Sequence, residues 1–237
     1  MESKSLAASF VIAVGIAGGL AVLGTQIDSA VGRFVDRDRV VTVKGLAEQQ
    51  VPADRVIWPV TFRELGNDLQ EVFGRINSRA AVVVNFLRAG GIDPREIAIS
   101  VPTVDDAQAN NYGGNQRAFR YSLTQTVTVS TNKVQAVLSL MQKQSELIGR
   151  DITLANDYNY RTRFDFTGLN GIKPKMIETA TVNAREAAQK FAQDSGSTLG
   201  KIRRASQGQF TISNRDENTP YIKNVRVVTT VEYFLKD

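Results

Sequence analysis

Apolar and polar residues alternate along this chain with two periods, and the switches between them mark out its elements. Val41 and Val43 alternate with Thr42 and Lys44, and Val56, Trp58, Val60 and Phe62 alternate with Ile57, Thr61 and Arg63. This predicts two half-buried strands joined around Pro52. The spacing then lengthens to three and four residues at Leu69, Val72, Phe73, Ile76, Ala80, Val83 and Leu87. That is one face of a helix, with Asn67 or Asp68 as its cap and Gly90-Gly91 as its stop. Asp93-Pro94 turns the chain into a short strand over residues 96–101, and residues 105–116 form a polar, glycine-containing loop. From Tyr121 the pattern alternates cleanly, with Tyr121, Leu123, Val127 and Val129 opposite Ser122, Thr124, Thr126 and Thr128. A second helix places Val134, Val137, Leu138, Met141 and Ile148 on its apolar side.

Residues 152–166 read as a further strand, after which the chain becomes rich in alanine. Ile177, Ala180, Ala184, Ala187, Ala188 and Phe191 fall on one helical face, with Pro174 expected in the first turn and Ser195-Gly196 as the stop. Small side chains on the buried face would let this helix lie close to a sheet. A strand near residues 199–210, a polar turn and a last strand over 225–235 complete the order β-β-α-β-β-α-β-α-β-β. Strands in adjacent pairs predict an α+β fold: a mainly antiparallel sheet with long helices packed on one face.

The N-terminus follows neither period. Residues 5–27 contain no charged side chain and are mostly apolar. About 20 helical residues at ~1.5 Å each cross a hydrocarbon core of ~30 Å, so the segment is long enough for one transmembrane helix. Asp28 occupies a place where a cleavage site needs a small residue, which favours an uncleaved anchor over a cleaved, exported form. Gly15 and Gly19 make a small-xxx-small pair suited to close packing of two such helices. Residues 1–38 are therefore read as anchor and juxtamembrane segment, and 39–237 as one α+β domain. Lys4 precedes the segment while Arg33, Arg37 and Arg39 follow it, a count that by itself keeps the domain inside the cell.

Composition removes whole classes of chemistry. The 237 residues include no cysteine and no histidine, so thiolate sites and the commonest general base and metal ligand are excluded. The net charge of +5 permits attraction to anions without a basic tail to focus it. Aromatics alternate with Arg161 and Arg163 between Tyr158 and Phe166, and Lys201, Arg203 and Arg204 form the densest basic spot. These five are the candidate contacts for anionic lipid or nucleic acid, although a strand with one face in water produces the same pattern. In a regular strand Lys201 and Arg203 would share a face. Ser130 to Lys133 fits S-x-x-K but lacks the partner motifs and lies where a cap is expected. Residues 196–201 lack one residue of a phosphate loop, and Asn214, Asp216 and Asn218 begin a calcium-loop spacing that does not continue. An enzyme or ligand-binding alternative would need distant groups such as Asp105, Tyr112 and Asp157 gathered in a pocket. No catalytic residue, metal, cofactor or nucleic-acid partner is expected, and the sequence identifies no small-molecule substrate.

Four blocks carry a resemblance: VTVKGLAEQQVPADRV at the first strand, AGGI after the first long helix, AREAAQKFAQDSGSTLGKI, and the closing VRVVTTVEYF. Together they are similar to the bacterial SIMPL-domain family over residues 39–237, most specifically from Ala184 to Ile202. Arg120-Tyr121-Ser122 stands where relatives often carry a Gly-Tyr pair. The resemblance implies an α+β domain exported across the inner membrane, without an established catalytic site, with links to envelope stress and to self-assembly. It places the domain in the periplasm, against the count of flanking charges. The expected function is a membrane-anchored, non-enzymatic envelope protein that forms a homo-oligomer.

Overall fold

In a computed structural model, the described residues are 39–109, 118–155 and 161–236, with 15, 16, 18–20, 22 and 23. The fold is mixed α and β, with antiparallel sheets and several helices. The strands are β1 (Val40–Pro52), β2 (Arg55–Gly66), β3 (Ile97–Ile99), β4 (Thr103–Asp106), β5 (Tyr121–Thr131), β6 (Arg163–Asp165), β7 (Thr198–Gln207), β8 (Thr211–Asn214) and β9 (Ile222–Lys236). The helices are α1 (Leu69–Ala89), α2 (Val134–Gln142), α3 (Ser145–Ile148) and α4 (Leu169–Asp194), with a 3-10 turn at Pro94–Glu96. Among the described residues there are two sheets rather than one. One runs β1-β9-β7, with β8 also on β9; the other runs β3-β5-β2-β6, with β4 also on β5. Consecutive strands β1 and β2 thus go to different sheets, a separation that alternation within each strand does not encode. Residues 5–27 lie mostly outside the described residues, of which Gly15 and Gly19 are helical. Among the described residues no helix is long and apolar enough to cross a membrane.

The described residues divide into two units. The larger comprises Gln49–Ile172 and Ile212–Val225. Its core is built from large side chains: Trp58, Val60 and Phe62 of β2, Leu123, Val127 and Val129 of β5, and Ile76, Val83 and Leu87 of α1. Asp68 caps α1 by accepting the Glu71 N–H at 2.9 Å, and Gly90 and the left-handed Gly91 end it. The α1 face is narrower than predicted, because Leu69 and Phe73 are exposed. Ile148 is exposed too, and Leu140 and Leu147 take the buried positions of the α2–α3 region. Of the strand expected over 152–166, an isolated bridge from Leu154 to Phe62 and the three residues of β6 are described. Between β3 and β4 the ladder is maintained by Ser100, whose N–H donates to the Thr126 carbonyl and whose hydroxyl accepts the Thr126 N–H.

The smaller unit takes the described residues of Met1–Glu48, of Lys173–Thr211 and of Arg226–Asp237. Its core sets Val43, Val231 and Tyr233 against Ala184 and Ala188 of α4. A Cβ at Gly45 of β1 would lie 1.8 Å from the Ala180 carbonyl oxygen, so helix and strand approach backbone to backbone. Asn183 seals the contact by donating to the Leu46 carbonyl at 2.7 Å. The buried stripe of α4 is Met176, Ala180, Ala184, Ala188 and Ala192, and Phe191 is 64% exposed, opposite to the sequence expectation. A strict four-residue stripe leaves position 191 off the contact line. The helix also begins at Leu169, so Pro174 lies inside it rather than in its first turn. It ends as expected: Gly196 is left-handed, its N–H donates to Gln193, and the Ser197 N–H donates to Ala192.

Candidate functional site

The five basic candidates fall in different units, Arg161 and Arg163 in the larger and Lys201, Arg203 and Arg204 in the smaller. Arg161, just before β6, and Arg163 within it are exposed, and Phe164 is buried in the core. Arg163 is paired with Asp165 at 3.2 Å, two residues along the same face. The described part of this segment is therefore a strand with one face in the core and one in water. Tyr158 and Tyr160, the aromatics of the base-stacking alternative, lie outside the described residues. Gly15 and Gly19 are helical, and a methyl added at either would meet open space.

Lys201, Arg203 and Arg204 are exposed on β7. The register against β9 shifts twice, between Leu199 and Ile202 and between Ile202 and Arg204. These bulges break the regular alternation on which a shared face for Lys201 and Arg203 depended. Arg203 reaches Glu232 at 3.3 Å and the Phe234 ring at 5.9 Å. Lys201 instead lines a cleft of about 470 Å³ with Tyr233, the neighbour of both on the other face, and with Arg185 and Gln189 of α4. Arg185 was missed in the sequence. It sits one position from the buried Ala184, and only the helix's distance from β7 makes it significant.

The two sheets finish their edges differently. β7 is the end of its sheet and carries three cations and two register shifts. At the end of the other sheet, β3 and β4 lie on β5, and residues 97–104 contain no charge. Ile99, Val101 and Val104 are exposed there, Val101 by 85%. Among the described residues no strand pairs outside β3 and β4.

The motif-like stretches are consumed by local structure. Thr131 of the S-x-x-K segment donates to Glu96 at 2.7 Å and accepts the Lys133 N–H, while the Lys133 ammonium donates to the Gly91 carbonyl. Lys133 itself occupies the helix cap without a side-chain capping bond. Asp216 accepts the Asn218 and Thr219 N–H groups inside the β8–β9 turn. Hydrogen bonding by the Thr219 hydroxyl, then Arg215, holds its carboxyl down at about 2. Lys223 is buried, its ammonium 2.5 Å from the Asn214 amide oxygen. Burial pushes this amine below the ordinary lysine range, and the charge of Asp165 opposes the shift. Of the trio Asp105, Tyr112 and Asp157, the last two lie outside the described residues. The described residues contain no cluster of three or more acidic groups able to hold a metal ion.

No curated protein matches the chain. A family model does: SIMPL, described as a protein of unknown function (DUF541), matches residues 41–232, which runs from β1 through the pairing region of β9 and contains both strand edges. The chain belongs to the SIMPL family.

Proposed function

We propose that this is a membrane-anchored, non-enzymatic protein of the cell envelope whose SIMPL domain assembles with further copies of itself. The observation that carries the reading is the β3–β4 edge. Open strand edges template pairing with another chain, and proteins that stay monomeric guard them with charge, proline or bulges. Residues 97–104 have Pro102 but no charged side chain before Asp105 and Asp106 end β4, and three large apolar side chains stand exposed along them. A second copy that covers this edge removes those side chains from water at roughly 25 cal/mol per Å² buried.

The uncharged run over residues 5–27 supports the anchor, and its length suits one passage through an inner membrane. The domain is placed in the periplasm, in line with the family's implied export and a chain without cysteine; a role in envelope stress belongs to the same reading. Lack of histidine and cysteine, and of any complete catalytic motif, supports a structural rather than enzymatic role. Light scattering of the full-length chain in nonionic detergent tests the assembly. The expected result is a discrete multimer, and a strictly monomeric species at micromolar concentration contradicts it. Protease treatment of intact and permeabilised cells tests the placement, where digestion from the cytoplasmic side alone would overturn it.

A further inference from the structure

The cleft between α4 and β7 has a composition that neither strand edges nor self-assembly explains. Arg185 and Lys201 face it with no acidic residue among its lining, and neither has a hydrogen-bond or ion-pair partner among the described residues. Three other cations on these two elements are engaged, Arg203 with Glu232, Lys190 with Asp194 and Lys175 with Glu178, while Arg204 stands exposed on β7. Two like charges sharing one cleft repel, and a single anion between them reverses that term. Leu199, Ile202 and Tyr233 give the lining an apolar part beside the polar Thr181 and Gln189, and Ile202 is 52% exposed.

The backbone of β7 is shaped to produce this arrangement. Leu199 to Ile202 all line the cleft, which strict alternation of a regular strand would prevent, and the first register shift falls within these four residues. Bulges re-aim side chains in this way next to binding sites. Gly200 is required at that point, because a Cβ there would lie 2.7 Å from the Phe234 carbonyl oxygen. Gln189 adds an amide that can donate beside the two cations. A planar guanidinium suits a carboxylate or phosphate through paired hydrogen bonds, and an ammonium supplies a point charge.

We propose that this cleft binds one small amphiphilic anion, a phosphate or carboxylate group carrying a short apolar chain. The charged end lies between Arg185 and Lys201, and the chain covers Leu199, Ile202 and Tyr233. The test is isothermal titration of the full-length chain in nonionic detergent with hexyl phosphate, inorganic phosphate and hexanol. Hexyl phosphate is expected to bind one to one, at least about tenfold more tightly than either of the others, because each lacks half of the recognised chemistry. Arg185→Gln and Lys201→Gln should each weaken it about tenfold or more, which corresponds to ~1.4 kcal/mol. Arg203→Gln should leave it unchanged, because that guanidinium is held by Glu232 on the other face. Unchanged binding in Arg185→Gln and Lys201→Gln, or no binding of hexyl phosphate at millimolar concentration, overturns the site. Inorganic phosphate binding as tightly as hexyl phosphate overturns its apolar half. Circular dichroism of each variant separates a lost site from a lost fold.

Discussion

The two units cover a sheet with a helix and then finish a sheet edge, and they do each by opposite means. In the larger unit, Phe62, Trp58 and Leu123 meet Ile76 and Leu87, so side chains fill the space between helix and strands. In the smaller, Gly45 meets Ala180 and Ala184, and the space is closed by bringing backbones together. The edges invert this contrast. The well-filled unit leaves residues 97–104 uncharged and mostly apolar, whereas β7 in the close-packed unit is guarded by Lys201, Arg203 and Arg204 and by two bulges. The lesson is that edge protection follows what each edge must meet. Guarding β7 keeps a largely exposed strand from pairing, and the edge with the uncharged run is the one assigned to a second copy.

The packing contrast can be broken by substitutions of graded size. Phe62→Ala should cost about 3–5 kcal/mol in urea unfolding, since it empties the centre of the side-chain core. Gly45→Ala should cost about 1–3 kcal/mol, since the new methyl must push α4 from β1. Gly74→Ala is the control: it lies in α1 with open space around it, and a gain of roughly 0.5–1 kcal/mol is expected from helix propensity alone. Phe191→Ala should change stability by less than about 0.5 kcal/mol, which would sharpen the distinction between the two phenylalanines.

Those substitutions also mark what the sequence conveyed. The extent of α1, a cap at Asn67 or Asp68 and the Gly90-Gly91 stop were legible because cap chemistry and a three-to-four spacing act within a few residues. The alternation of β5 and the Gly196 stop of α4 were legible for the same reason. The assignment of Phe191 to the core was not, because hydrophobicity at helical spacing does not say how narrow a contact line becomes when alanines bring the helix close. The division of β1 and β2 between two sheets depends on β9, about 170 residues away, and no local pattern carries it. At the candidate site, Lys201 and Arg203 were visible as a basic spot. The bulges that part them, and the approach of Arg185 from α4, arise from pairing and packing at long range.

The smallest expected effect concerns the β8–β9 turn. The Asp216 carboxyl is held at about 2, below its ordinary 3.8, first by the Thr219 hydroxyl and then by Arg215. A depressed folded value contributes stability that is complete above the unfolded value and is lost as pH falls through the folded one. Asp216→Asn should therefore be less stable than the parent chain at neutral pH. The difference between their urea midpoints should close as pH falls to about 2, and a difference independent of pH would contradict the assignment.

In the proposed assembly the β3–β4 edge, and not β7, joins copies of this chain. The direct measurement is multi-angle light scattering of the full-length protein in nonionic detergent, comparing the parent chain with Val101→Lys and Lys201→Ala. The expected result is a multimer that Val101→Lys dissociates at micromolar concentration and Lys201→Ala leaves intact. A Val101→Lys protein of unchanged mass, or a parent chain already monomeric, would contradict it.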